Sequence, residues 1–469
     1  MYGKMRFAFV ALVAAFIFAG QSQVANAQFT ITVQVTEGTV QGPPISGVNV
    51  RLLTGPNFTT EFNAQTDGNG TCSFPGISGS YDVAPTKPGY TFNPETQGGN
   101  TGPRTLFFTG TVTGGPTVQF NAGTFSVGEG NGSVAVTVVR GGSTAGAASV
   151  NYATSDSAGL NNCNVFNGVA SARCDYAVSV GTINFAAGEA FRTISIPIVN
   201  DSFAEGNENF SIALSNPVGG TLGQSNATIT IVDNESSTGP NPIDQTAFFV
   251  RQHYIDFLGR EPDPLGFQGW QDTINNCAPG DTSCDRIHVS SNFFRSLEFQ
   301  ERGYFVYRFY STAFGRKPEY EEFIPDLARV SGFLDSAQLE AVKVAFINEF
   351  TTRSAFTSIY NPLDNTQYVD TLLATANVSH PARTFWITAL GNGTRTRAQV
   401  LREIAESGEV NSKYFNQAFV VMQYFGYLRR NPDAFYLDWI AVLDANPNDF
   451  RGMVSGFMNS SEYRSRFGP

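Results

Sequence analysis

The sequence predicts a multidomain chain, two all-β sandwiches followed by an all-α helical repeat domain. Three observations carry that prediction. Between Phe29 and Val232, apolar and polar residues alternate in short runs broken by Gly, Pro, Asn and Asp, the period-two pattern of half-buried strands. Beyond Pro240 lie all three Trp and most of the long charged residues, in runs with helical spacing such as Phe249, His253 and Phe257. Within that stretch Tyr254, Tyr310, Tyr368 and Tyr424 recur at intervals of 56, 58 and 56 residues.

Residues 1–27 read as a secretory signal. Lys4 and Arg6 supply the positive start, Phe7 to Ala19 the apolar run and Ala25-Asn26-Ala27 the small-residue cleavage site, so the mature chain is expected to begin at Gln28. The apolar run is short for a membrane span, and no second run of spanning length follows. A secreted, soluble protein without a membrane span is the expectation. The 469 residues carry 29 Lys and Arg against 40 Asp and Glu, a formal net charge of -11 that becomes -13 once Lys4 and Arg6 are removed. So acidic a chain is a poor partner for nucleic acid. The five cysteines fall as Cys72 alone and two close pairs, Cys163 with Cys174 and Cys277 with Cys284. In an oxidising compartment the pairs read as local disulfides and Cys72 as a buried free thiol. Metal binding by cysteine is the weaker alternative, since only His288 stands near a pair.

Residues 28–112 form the first expected domain. Phe29 to Val35 and Val48 to Leu52 both alternate as half-buried strands. The runs Thr66-Asp67-Gly68-Asn69-Gly70-Thr71, Gly79-Ser80-Tyr81-Asp82-Val83 and Lys87-Pro88-Gly89-Tyr90-Thr91-Phe92 resemble the carboxypeptidase-regulatory or collagen-adhesin B-type family of prealbumin-like sandwiches. That resemblance implies a spacer or stalk. Asp67-Gly68-Asn69-Gly70 lacks the later ligands and the bidentate Glu of an EF-hand, so a tight hairpin turn is expected there.

Residues 117–235 form the second, after a hinge at Thr113-Gly114-Gly115-Pro116. Asp201, Glu205 and Glu208 crowd eight residues beside a strand, Asp233 and Glu235 close the strand Ala227 to Val232, and Glu129 follows Ser126-Val127-Gly128. Carboxylates that dense repel one another unless a cation offsets them, and oxygen ligands in flexible loops suit calcium. In an antiparallel sandwich, loops from distant strands gather at one end, so these acids can share a pole. Solvated turn acids are the plain alternative. The runs Phe125 to Gly130, Val150 to Thr154, Asp175-Tyr176, Gly181 to Glu189 and Asn200 to Phe210 resemble a Calx-beta domain, the calcium-binding immunoglobulin-like sandwich of sodium/calcium exchangers and many bacterial surface proteins. The resemblance implies Ca2+ as cofactor. It makes Glu129, Asp175, Asp201, Glu205, Asp233 and Glu235 candidate ligands, with Glu208 set aside as a structural acid at the strand start. Asn200 and Asn234 stand where stronger binders of the family carry Asp, which implies weaker affinity. The polar stretch Asn161 to Arg173 reads as an insertion that a Cys163–Cys174 bridge would close beside Asp175.

Residues 236–243, rich in Ser, Pro, Gly and Asn, read as a linker, and 244–469 as the helical repeat of about four units. Three of the recurring tyrosines precede a related turn, at Gly259-Arg260-Glu261-Pro262, Gly315-Arg316-Lys317-Pro318 and Arg429-Arg430-Asn431-Pro432, which suits a helix stop and restart. Trp270, Trp386 and Trp439 mark three units, and Ser296-Leu297-Glu298-Phe299 and Ser460-Ser461-Glu462-Tyr463 end two. These features resemble a bacterial family of unknown function related to the phycobilisome linker domain, which implies assembly or surface attachment. Arg260, Arg316 and Arg430 read first as structural partners of helix ends or acids, and second as exposed forks for a carboxylate or sugar acid.

His253, His288 and His380 lie in separate segments, and no metalloprotease, nucleophile-elbow or phosphate-loop motif is present. The expected function is a secreted, calcium-binding, non-catalytic surface or matrix protein acting in adhesion, attachment or assembly toward an extracellular protein or glycan surface. The alternative is a carbohydrate-binding or carbohydrate-active protein with its site in the helical domain, marked by acids and Trp in one cleft.

Overall fold

The computed structural model describes residues 28–469 except 88, 101, 113–114, 160–162 and 333. The expected signal segment, Thr113 and Gly114 of the hinge and the start of the polar insertion lie outside the described residues. The chain divides into two compact units, Met1–Gly114 and Gly115–Pro469.

In the first unit two four-stranded sheets enclose one core. One sheet orders Thr71–Ile77, Phe29–Glu37, Arg104–Val112 and Tyr90–Asn93; the other orders Thr60–Gln65, Asn49–Thr54, Tyr81–Thr86 and Gln97–Gly99. The alternation dictates the burial: Ile31, Val33 and Val35 from one sheet meet Val50, Leu52 and Val83 from the other. Asp67 closes a tight turn by accepting the N–H groups of Asn69 and Thr71, each at 2.9 Å. Cys72 is a free, half-buried thiol that burial pushes up to about 11.

The second unit combines a sandwich with a helical region. Five strands, Thr124–Gly128, Asn226–Val232, Glu208–Val218, Ala148–Ser155 and Val180–Phe185, face four, Phe191–Pro197, Ser133–Gly141, Thr117–Phe120 and Thr221–Leu222. Val136, Val150, Ile196, Ile212 and Ile229 fill the space between them. The helices run from Thr246 to Arg464 around an aromatic core. Ser296 and Ser460 cap short helices by accepting the N–H groups of Phe299 and Tyr463, which gives the Ser-x-Glu-aromatic runs their local meaning. Among the described residues three turns are π-helical, Tyr254–Leu258, Gln300–Tyr304 and Tyr424–Leu428. Gly259 and Arg429, which follow the first and third of these, and Gly315, which ends the α-helix Phe305–Phe314, take a left-handed backbone with φ of 63°, 54° and 66°.

The four spaced tyrosines are all buried, and each lies under a guanidinium: Arg260 over Tyr254, Arg316 over Tyr310, Arg397 over Tyr368 and Arg430 over Tyr424, at 4.9 to 5.5 Å. Arg260, Arg316 and Arg430 also fork onto carboxylates, with Arg260 Nε 2.7 Å from Glu298 Oε1, Arg316 Nη1 2.7 Å from Glu322 Oε2 and Arg430 Nε 2.6 Å from Glu462 Oε1. Their recurrence therefore serves packing. Residues 241–243, inside the stretch read as a linker, are buried, and Val199 of the sandwich joins the helical core.

Candidate metal centre

Strand pairing brings the acids together. Parallel registry sets Gly128 opposite Val232, so Glu129 and Asp233 leave the sheet side by side. A bridge between Tyr176 and Ile198, with Val199 N–H donating to Asp175 O at 2.9 Å, lays Asp175 beside the loop that carries Asp201 and Glu205. Asp201 N–H donates to Glu129 Oε1 at 2.8 Å and joins the two segments. Asp233 Oδ2 accepts the N–H groups of Glu205 and Gly206, at 3.0 and 2.6 Å, and fixes the far end of that loop.

All six predicted acids meet at this pole, in two groups. Carboxylate oxygens of Glu129, Asp233 and Glu235 lie within 4.8 Å of one another, and so do those of Asp175, Asp201 and Glu205. Glu208, set aside by the sequence reading, is buried here too, and its carboxyl meets that of Asp175. Asn200 and Asn234 are at the same pole; with its amide turned to donate, Asn234 reaches Glu235 Oε2 at 2.9 Å and Glu129 Oε2 at 3.2 Å.

Burial and mutual repulsion push most of these carboxyls far above the ordinary range. Burial raises Glu129 to about 8, opposed by the Asp201 N–H and helped by Glu235. Burial and the Glu129 charge raise Asp201 to about 9. Burial raises Glu205 to about 10, with Asp201, Asp175, Glu208 and Glu129 adding to it. Glu208 is raised to about 9 by burial and by Asp175. Burial also raises Asp175, to about 6, against the Ser171 N–H. Asp233 goes the other way: burial opposes it, but the N–H groups of Glu235, Gly206 and Glu205 hold it below the usual carboxylate value. Like charges gathered out of water are costly unless protonated or compensated by a cation. The donor set is all oxygen, mostly carboxylate and partly embedded in loops, which fits a hard divalent ion such as calcium.

The disulfides Cys163–Cys174 and Cys277–Cys284 are both present. The first ends one residue before Asp175, beside the pole.

The three histidines stay apart. His253 is fully buried, with Nδ1 2.8 Å from Phe249 O and Nε2 2.9 Å from Ser290 Oγ, and burial drives it down to about 4. His380 faces Glu409 at 3.1 Å, and His288 lies beside Asn292 at 2.8 Å. Trp386 is buried and donates to Glu403 at 2.7 Å, while Trp270 and Trp439 pack half-buried against the helical core.

Fold and pole together define a β-sandwich module able to hold a hard cation on loop carboxylates. Residues 113–235 match the Calx-beta domain family. Sodium/calcium exchanger 1 of Rattus norvegicus is 35% identical over 100 residues, which cover 21% of this chain and 9% of the exchanger. The apo-form Calx CBD1 domain is 32% identical, with a TM-score of 0.23 over 26% of this chain and 98% of that one. The calcium binding domain CBD12 of CALX1.1 is 33% identical, with a TM-score of 0.22 over 25% of this chain and 45% of that one. The chain thus spans about a tenth of the length of the curated exchangers it matches.

Proposed function

We propose that this is a secreted, non-catalytic surface or matrix protein whose second sandwich binds calcium as a structural staple. The reading rests on one observation: two carboxylate groups, one buried and one half-buried, gathered at one pole of the Calx-beta domain. Asp175, Asp201 and Glu205 would hold a cation in the deeper group, and Glu129, Asp233 and Glu235 in the outer one. Bound calcium supplies the positive charge that lets these carboxylates stay ionised without water. With Asn at 200 and 234, affinity falls in the weak extracellular range of about 0.1 to 1 mM. The prealbumin-like domain acts as a spacer, and the helical repeat provides attachment to an extracellular protein or glycan surface. Trp386 in the core, with Trp270 and Trp439 against helices, supports assembly over a carbohydrate cleft.

The test is calcium titration of the full mature chain by calorimetry, paired with thermal unfolding in millimolar calcium and in chelator. Saturable binding and a higher midpoint are expected, both lost in Asp201→Ala. An unmodified chain whose midpoint ignores calcium would refute the staple.

A further inference from the structure

Both loops that carry the deeper acid group are tied to one segment of the helical region, Glu462–Gly468. In the first loop, the Ser202 N–H and Oγ both donate to Phe467 O, each at 3.0 Å. Ser202 O accepts the Gly239 N–H at 2.9 Å, and Asn241 Nδ2 donates to Arg464 O at 2.8 Å and Gly468 O at 2.9 Å. The segment is therefore held between the Asp201 loop and the chain leaving the sandwich. In the second loop, Arg466 Nε donates to Arg173 O at 2.8 Å, and Arg173 Nη2 reaches Glu462 Oε1 at 3.3 Å. Arg173 stands two residues before Asp175, whose carboxylate accepts the Ser171 N–H of the same turn at 2.6 Å. Arg466 is 1% exposed and anchored by Asp256 and by Tyr427 O at 3.0 Å, so it is a fixed post in the helical core.

We propose that binding of a divalent cation at Asp175, Asp201 and Glu205 is coupled to docking of Glu462–Gly468, which makes this segment a positioning element for the pole. The inference rests on the calcium reading of that pole. Because one segment braces both acid loops, its release lets them spread under their own repulsion; by reciprocity, a cation that draws them together fastens the helical region to the sandwich.

The test leaves every acid in place. In Gly468→Val the new Cβ would lie 2.3 Å from Ser202 Oγ and 3.0 Å from Asn241 Cα, which wedges the segment away. Asn241→Ala removes its side-chain donors by a different route. Calcium affinity of the full chain is expected to weaken by about fivefold or more in both variants, the usual span of such couplings. In the unmodified chain, calcium is expected to slow amide hydrogen exchange across 461–469, a readout that needs no variant to fold. Variants that exchange faster across 461–469 yet bind calcium with unchanged affinity would overturn the coupling, as would calcium uptake by the unmodified chain with no change in that exchange. No calcium uptake by the unmodified chain would remove the pole reading itself, and the coupling with it.

Discussion

Asp256 is where buried charge in the helical region converges. Its Oδ1 accepts from Arg429 Nη2 at 2.7 Å, Gln252 Nε2 at 2.8 Å and Arg466 Nη2 at 3.0 Å, and Oδ2 from Arg466 Nη1 at 3.0 Å. Burial alone would raise its pKa, but Arg466 and Arg429 outweigh it and hold the carboxyl below its usual value. Asp256→Ala strands two buried guanidiniums and should cost about 3 to 5 kcal/mol. Arg429→Gly should cost clearly less, because Arg466 still pairs Asp256 and glycine takes the left-handed backbone at 54° without strain of about 1 kcal/mol. Urea unfolding of the two variants measures both; an equal or larger loss in Arg429→Gly would show that Asp256 is not the centre of the network. The related turns were legible in the sequence, since Gly259 and Gly315 mark the left-handed position. Arg429 aligns with them at the third turn, but its pairing with Asp256 was not legible, because that partner lies 173 residues away and is chosen by packing.

Two π-helical turns, Tyr254–Leu258 and Tyr424–Leu428, meet closely enough that a side chain is excluded at Gly426, where a Cβ would lie 1.9 Å from Phe257 Cε1. Overpacking of this kind costs about 1 to 3 kcal/mol, so Gly426→Ala should lower the thermal midpoint, and adding Phe257→Leu should recover part of the loss. No recovery in the double variant would place the strain elsewhere. Among elements, the strands were the most readable, because Phe29–Glu37 and Asn49–Thr54 carry their own two-residue period. The disulfides were readable for a similar reason: each bridge is local, with separations of 11 and 7 residues. The π turns were not, since helical spacing looks the same over five residues whichever ring the backbone closes. Glu208 opens a strand, as expected, but its burial against Asp175 is set by strand packing that a local pattern does not encode.

At the scale of the molecule, the consequence of the acidic pole is a stability that falls with rising pH without calcium and a calcium stabilisation that grows over the same interval. Five of the six acids were legible as a group because they lie in turns near strand ends, and Asp175 joined them only through the family resemblance; the bracing of their loops by Glu462–Gly468 was not legible, because residues 236–243 read as a free linker. In the folded, metal-free chain Glu129, Asp201 and Glu205 hold protons up to about 8, 9 and 10, whereas in the unfolded chain they release them near the ordinary 3.8 to 4.5. A folded value above the unfolded one means that stability is fully present below about pH 4 and is lost as pH rises toward the folded values. Asp233, whose pKa is lowered, contributes the reverse, but only in the acid range below its ordinary value. In chelator, therefore, the midpoint of the second unit should fall by roughly 5 °C or more between pH 5 and pH 9. Calcium competes with those protons, so its affinity should rise over the same interval and its stabilising effect should be larger at pH 9 than at pH 5. Thermal scans at four or five pH values, each with calcium and with chelator, decide the matter. A midpoint in chelator that stays level or rises from pH 5 to 9 would mean that the acids ionise freely in the folded chain, and that the pole is open to water and has no need of a cation.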